Sequence, residues 1–211
     1  MIPRVFHRGW IGSDVPKELE AYWQTWRDRH PDWTFVTWRE KDIDLLGLQN
    51  RELYERATKP AFAIDVVMYE VLYHVGGVWL DCDMECCRNI APLIEGAEIF
   101  CGHEPAHGSE HRDYLLGAIM GATPRHWIMR ALIDGLADSQ RAIAPVYLTD
   151  TLERLLNLSM LDMYKRGPLR ILAPKLVYPY FWWEKGGCLS DYPDAYCCHH
   201  WYASWVDKHP S

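Results

Sequence analysis

Apolar and polar positions along the chain follow two alternating periods. Residues 4–8 (Arg-Val-Phe-His-Arg) predict a strand that ends at Gly9 and the loop Gly12-Ser13-Asp14. A helix follows from Pro16, a favoured first-turn residue, to about Arg29, where His30-Pro31-Asp32 breaks it. The aromatic and β-branched run from Trp33 to Trp38 predicts a second strand.

Ala61, Ile64, Val67, Met68, Val71, Leu72 and Val75 then recur at the spacing of a buried helix. Gly76-Gly77 stops that helix, and Val78-Trp79-Leu80 predicts a short buried strand carrying Asp81-Cys82-Asp83 at its C-terminal edge. Strands at Glu98–Cys101 and Leu115–Met120, and helices at Pro124–Leu136 and Val146–Leu158, continue the alternation. From Gly167-Pro168 onward the chain reads as loop-rich and aromatic, with Tyr178-Pro179-Tyr180-Phe181-Trp182-Trp183, His199-His200-Trp201 and Trp205. Strands alternating with helices predict an α/β layer architecture, and no linker or repeat divides residues 1–211.

Composition changes this picture in a few places. A chain of 211 residues can bury one sizeable core, yet 11 Trp and 12 Tyr exceed what such a core needs, so some rings are expected to face a ligand. The net charge of −7 gives no electrostatic footprint for duplex nucleic acid. No apolar run approaches the length of a membrane span, and the first strand starts too early for a signal segment, so a soluble, cytoplasmic chain is expected. Seven cysteines, with Cys86-Cys87 and Cys197-Cys198 adjacent, fit reduced thiols better than a regular disulfide framework. A zinc cluster of Cys82, Cys86, Cys87, Cys197, Cys198, His199 and His200 is the alternative, although only the spacings from Cys82 approach a Cys-x2-4-Cys pattern.

The candidate chemistry sits at Asp81 and Asp83. On an extended segment, period-two alternation sends both carboxylates to one side and Cys82 to the other. Two convergent carboxylates suit a hard divalent ion, Mg2+ or Mn2+, of the kind commonly shared with substrate phosphates. The plain alternative is an Asp-x-Asp that merely ends a strand, and the preceding helix, Gly-Gly break and apolar strand are what sharpen the functional reading.

The run Ala63-Ile64-Asp65-Val66-Val67-Met68-Tyr69-Glu70-Val71-Leu72-Tyr73-His74-Val75-Gly76-Gly77-Val78-Trp79-Leu80-Asp81-Cys82-Asp83 resembles the DXD-containing sugar-binding region of glycosyltransferase family 32. That family includes bacterial polysaccharide glycosyltransferases and yeast initiating mannosyltransferases, and it is related to the glucosylating domains of clostridial toxins. Ile2–Gly12 resembles its opening strand and Trp-containing loop, and Tyr196–Trp205 its closing His-x-Trp segment. Three separated segments in the right order are far more specific than one DXD.

The resemblance implies a single GT-A domain: a Rossmann-like, mostly parallel sheet flanked by helices. It implies a metal-dependent hexosyltransferase that retains anomeric configuration by a front-face reaction, with a UDP-sugar as favoured donor and GDP-mannose as the other. Asp81, Asp83 and Asp65 would be the catalytic residues. Trp10, His7, Asp65, Gly77, Trp79, Asp81 and Trp205 would meet the donor, with Trp10 stacked on the base, its alternative being a half-buried core ring. Asp83, Asp81, His200 and His199 would approach Mn2+ or Mg2+, and alternation allows one histidine of the pair to face inward. The acceptor would be a glycan or lipid-linked glycan, met by the aromatic C-terminal third, with peripheral membrane contact. The family commonly carries Arg where this chain has Met68, and Arg4, Arg8, Lys59 and Arg166 are the cations available in its place. That departure motivates a second class, a catalytically impaired carbohydrate-binding protein, and the Cys and His pairs a third, a zinc-stabilised interaction module.

Overall fold

The short strand before Asp81 lies at the centre of the sheet. The structure, a computed structural model, describes residues 1–107, 112–137, 144–159, 162, 168–184 and 191–202. In chain order the elements are β1 (Val5–Gly9), α1 (Lys17–Arg29), β2 (Thr34–Trp38), α2 (Glu40–Leu46), α3 (Arg51–Arg56), α4 (Pro60–His74), β3 (Gly77–Leu80) and β4 (Met84–Cys86). They continue as α5 (Ala91–Ile94), β5 (Ile99–Glu104), β6 (Tyr114–Ala122), α6 (Trp127–Leu136), α7 (Ala144–Leu156), β7 (Arg170–Leu172), α8 (Pro174–Val177) and β8 (Cys197–His199).

Six strands form one sheet in the order β2-β1-β3-β6-β5-β7. β1 is parallel to both β2 and β3, β6 is antiparallel to β3 and to β5, and β7 is parallel to β5. β6 alone therefore runs against the rest of that sheet, which is mixed α/β and mostly parallel. Parallel strands put their C-terminal ends on one edge, where open α/β sheets bind ligands.

The sheet is covered on both faces. Phe6, Val78, Leu80 and Phe100 pack with Trp23 and Trp26 of α1, while Trp79 and Met120 pack with Val67, Met68, Val71 and Leu72 of α4 and with α6. Each such fully buried large side chain contributes about 2 kcal/mol of transfer free energy, so the faces of β3 are fixed by packing and its polar residues must emerge at its end. α4 starts at Pro60, buries a broad apolar surface and stops at Gly76, whose φ of 68° is left-handed. Gly77 follows at φ 99°, where an added Cβ would lie 2.5 Å from Val5 Cγ1 and 2.6 Å from its carbonyl oxygen. Glycine is therefore required at that position for β3 to enter beside β1.

The strands and long helices expected from periodicity are present with ends displaced by a few residues. The expected helix at Pro124 begins instead at Trp127, because His126 caps it by accepting the Ile128 N–H at 3.2 Å. The short elements α2, α3, β4, α5, β7, α8 and β8 lay below what a periodicity of a few residues reveals.

Candidate active site

Asp81 leaves β3 with its N–H still donating across the sheet to Ala118 O at 2.9 Å. The chain then turns: the Met84 N–H donates to Asp81 O at 3.1 Å, and the Cys82 thiol donates to Gly9 O at 3.4 Å. The Asp81 and Asp83 carboxylates converge because Asp81–Met84 is a turn, which replaces the extended alternation expected for this tripeptide.

The third member arrives from the end of the described chain. β8 pairs antiparallel with β4, which sets His199 opposite Met84. α1 anchors this ribbon: Trp26 Nε1–H donates to Met84 O at 2.8 Å, and Thr25 Oγ1 accepts the Cys86 N–H at 2.8 Å. His199 Nε2 lies 3.1 Å from Asp83 Oδ1, the Tyr202 N–H donates to Asp83 Oδ2 at 2.9 Å, and the His200 N–H donates to Asp83 O at 3.0 Å. One ligand atom from each of Asp81, Asp83 and His199 lies within 4.8 Å of the others.

His200 points the other way, as strand alternation requires. Its ring sits 2.9 Å from Glu85 Oε2 and 2.9 Å from the Tyr180 hydroxyl, and it stacks on Tyr22 at 4.3 Å and 10°. Of the two histidines expected near a metal, His199 is the member of the pair beside the acids. Glu85 and Tyr22 were not singled out in the sequence, since they lie far apart in the chain and belong to no local motif, and Tyr180 stood out there only as part of the aromatic run 178–183.

The cluster gathers two carboxyl groups and an imidazole in a largely buried place. Burial, and then the neighbouring Asp83 carboxylate, raise the Asp81 pKa, against the opposing charge of His199 and a hydrogen bond from Trp79. Burial also pushes Asp83 upward, but His199, which pairs with it, and the Tyr202 amide outweigh that and hold its carboxyl below the usual range. His199 is desolvated, yet Asp83 beside it, with Asp81 and Glu104, keeps its pKa raised. His199 Nδ1 is buried with no hydrogen-bond partner. Two acids and one imidazole, whose Nδ1 is unpartnered, form a donor set that fits a divalent cation such as Mn2+ or Mg2+.

The remaining expected residues divide by position. Trp10 follows β1 on the same sheet edge, half-buried, with its N–H donating to Trp38 O at 3.0 Å and its indole Nε1 buried without a partner. Asp65 is half-buried on the first half of α4, next to Ile64, whose methyl groups cover Gly9 at the end of β1. Trp79 is fully buried, so what it offers the site is its hydrogen bond to Asp81. Met68 is buried with its thioether over Gly117 of β6.

His7 and Gly77 do not reach the cluster. Trp38 Nε1–H donates to His7 Nδ1 at 3.1 Å, so the neutral ring carries its proton on Nε2 and donates it to Gly76 O at 2.9 Å. Burial pushes the His7 pKa down to about 4. Gly77 opens β3, about 13 Å of extended chain before Asp81. Both are held by packing and hydrogen bonds within the sheet.

Of the cations named as alternatives to a charge at position 68, Arg4 pairs with Asp32 at 2.7 Å on the opposite sheet edge, and Lys59 is the N-cap residue of α4. Arg8 is buried between Glu20, 2.5 Å away, and Thr37. Trp205 and Arg166 lie outside the described residues. Among the described residues, Asp81, Asp83 and His199 are the one group of three acidic, Cys or His side chains spaced to hold an ion. The Cys and His pairs do not assemble a zinc site there, and burial raises the Cys82, Cys86, Cys87, Cys197 and Cys198 thiol pKa values.

Residues 16–100, which contain both acids, match the family described as the glycosyltransferase sugar-binding region containing the DXD motif. The mannosyl phosphorylinositol ceramide synthase CSH1 of Saccharomyces cerevisiae is 25% identical over 153 residues, 71% of this chain and 39% of that protein. Inositol phosphoceramide mannosyltransferase 1 of Schizosaccharomyces pombe is 29% identical over 148 residues, 64% of this chain and 43% of that protein. The chain thus spans about two fifths of the length of these curated relatives. An uncharacterized glycosyltransferase of Acanthamoeba polyphaga mimivirus is 24% identical over 217 residues, 98% of this chain and 84% of its own length. Among solved structures, the PaToxG glycosyltransferase superposes with a TM-score of 0.60 at 15% identity, covering 74% of this chain and 70% of its own. The ligand-free glycosyltransferase domain of the YGT toxin gives 0.55 at 11%, covering 82% and 80%. These likenesses assign the fold as GT-A. Among the described residues no helix is long and apolar enough to cross a membrane.

Proposed function

We propose that this chain, which carries the glycosyltransferase sugar-binding region with its DXD motif, transfers a hexose from a nucleoside diphosphate sugar to a hydroxyl acceptor with retained configuration. The single observation that carries this reading is the convergence of Asp81, Asp83 and His199 at the C-terminal end of a central strand. On this reading residues 1–211 act as one catalytic domain.

Asp83, Asp81 and His199 would hold Mn2+ or Mg2+, which when bound supplies positive charge to a departing diphosphate. Tyr202 and His199 fix both oxygens of Asp83, and Trp79 orients Asp81, so the acids are set before any ligand arrives. Trp10 offers its ring face to the base and an unpaired indole N–H to an acceptor atom on the donor. Asp65 would accept hydrogen bonds from donor-sugar hydroxyls.

A UDP-sugar is the favoured donor. GDP-mannose is the second, because the yeast relatives are named as mannosyltransferases. Those names, which refer to inositol phosphoceramide, also support a lipid-linked acceptor carrying free hydroxyls and contact with a membrane surface. A non-catalytic carbohydrate-binding role is the second reading, favoured by Met68, whose apolar side chain is committed to the core where the family Arg would bring charge.

Incubation with radiolabelled UDP-hexoses and GDP-mannose tests the reading. Slow donor hydrolysis that needs Mn2+ and is abolished by Asp83→Ala is expected, whereas donor binding without turnover selects the second reading. Calorimetry showing no binding of UDP, GDP or their sugars with Mn2+ overturns both metal and donor assignments.

A further inference from the structure

A run of aromatic rings leads from the acid cluster outward. The His199 ring lies 4.1 Å from Trp201, Trp201 lies 6.2 Å from Phe181, and Phe181 stacks on Trp183 at 4.7 Å and 10°. Trp183 stacks in turn on His107 at 3.9 Å and 7°, and Trp182 stands edge-on to Trp183 at 5.3 Å and 84°. Trp182 is 58% exposed, whereas Trp183 beside it is half-buried.

That exposed ring is held in place. Trp182 Nε1–H donates to Glu104 Oε1 at 3.1 Å, and Glu104 is the last residue of β5. An indole fixed by a carboxylate presents an apolar face and an anionic acceptor side by side. A pyranose has the matching pattern: axial C–H groups on one face and hydroxyl donors around its rim.

We propose that Trp182 and Glu104 form an acceptor subsite in which a neutral pyranose lies on the indole face and donates a hydroxyl hydrogen bond to the carboxylate. The assignment rests on the transferase reading for its name as an acceptor site, though not for the binding itself. An uncharged sugar is specified because the net charge of −7 disfavours a phosphate on the ring that lies against Trp182. One fixed indole beside a carboxylate also differs from the wide apolar patch of a protein or membrane docking face.

Saturation-transfer NMR with methyl α-D-mannopyranoside, methyl α-D-glucopyranoside and methyl β-D-galactopyranoside, with and without UDP and Mn2+, tests it on the full chain. At least one glycoside is expected to receive saturation at its ring C–H protons. Trp182→Ala should weaken that binding about tenfold, Trp182→Phe should retain most of it, and Glu104→Gln should lie between. UDP affinity in Mn2+ should stay unchanged in Trp182→Ala. Glycoside binding that survives Trp182→Ala overturns the proposal, as does its absence from the parent protein while UDP binds, and that second result leaves the transferase reading intact. Loss of glycoside binding in Trp182→Ala from a protein that binds no nucleotide keeps the sugar subsite and removes the transferase reading. Trp182-dependent sedimentation with phosphatidylcholine vesicles, without glycoside binding, would reassign the patch to a membrane.

Discussion

Asp83 Oδ1 and His199 Nε2 lie 3.1 Å apart, joining the turn after β3 to the last described strand, 116 residues later in the chain. This contact is a pairing of charges when His199 is protonated, and on the proposed function it would become a shared ligand position when a cation replaces the proton. The switch between these states has a defined dependence on pH.

In metal-free protein, the raised pKa of His199 gives a stabilising contribution that is complete below its unfolded value near 6.5 and lost as pH rises through the folded value. The raised pKa of Asp81 acts in the same direction, because ionising it next to Asp83 becomes costly as pH rises. The lowered pKa of Asp83 contributes above its unfolded value near 3.8 and is lost as pH falls. Thermal unfolding in EDTA should therefore show the greatest contribution of this cluster near pH 4, falling as pH rises through the folded value of Asp81 at about 6 and then through that of His199, with His199→Gln removing about 2 kcal/mol near pH 4 and less at pH 9.

Mn2+ must displace protons from Asp81 and His199, so its affinity should rise with pH from 5.5 to 8. Titration followed by electron paramagnetic resonance measures this directly. A flat profile would remove one or both groups from the ligand set.

The two adjacent histidines should separate cleanly. His199→Ala is expected to weaken Mn2+ binding by about tenfold or more, since it deletes a donor. His200→Ala should leave Mn2+ affinity within about twofold while lowering stability by about 1–2 kcal/mol, because it abandons Glu85 and Tyr180 in a partly buried position. Calorimetric Mn2+ titration alongside urea unfolding reads both effects.

Restoring the family cation at Met68 should not restore a family contact. Met68→Arg forces a guanidinium against Gly117 in a buried site and is expected to cost about 3 kcal/mol, with no gain in donor hydrolysis. Met68→Leu, of similar volume, should cost less than about 1.5 kcal/mol in the same urea titration.

Gly77→Ala is expected to destabilise by about 3 kcal/mol, since φ is 99° and the new Cβ would meet Val5 and His7. Denaturant midpoints of the variant and parent check this value. An unchanged midpoint would mean that β3 enters the sheet differently.

The sheet and the acid pair were legible in the sequence because each depends on a local signal. Val78-Trp79-Leu80 is apolar throughout, Gly76-Gly77 admits left-handed backbone, and Asp81 follows at once. What periodicity could not reveal was set by long-range pairing. Three-residue strands such as β4 and β8 carry too few positions for a period, so the choice of His199 over His200 emerged only from the register that sets His199 opposite Met84. The surroundings of His7 were hidden for a related reason: its neighbours in space, Trp38 and Gly76, satisfy both ring nitrogens, and neither is adjacent in the chain. The carboxylates converge as expected but through the Asp81–Met84 turn, which Asp at a strand end also favours.

The central claim is that Asp81, Asp83 and His199 bind one divalent cation against a diphosphate. An anomalous difference map from crystals grown with Mn2+ and UDP tests it most directly. The account predicts one strong peak bonded to Asp83, within reach of Asp81 and His199 and touching the diphosphate. A peak elsewhere, or a nucleotide bound with no metal between these three side chains, would contradict it.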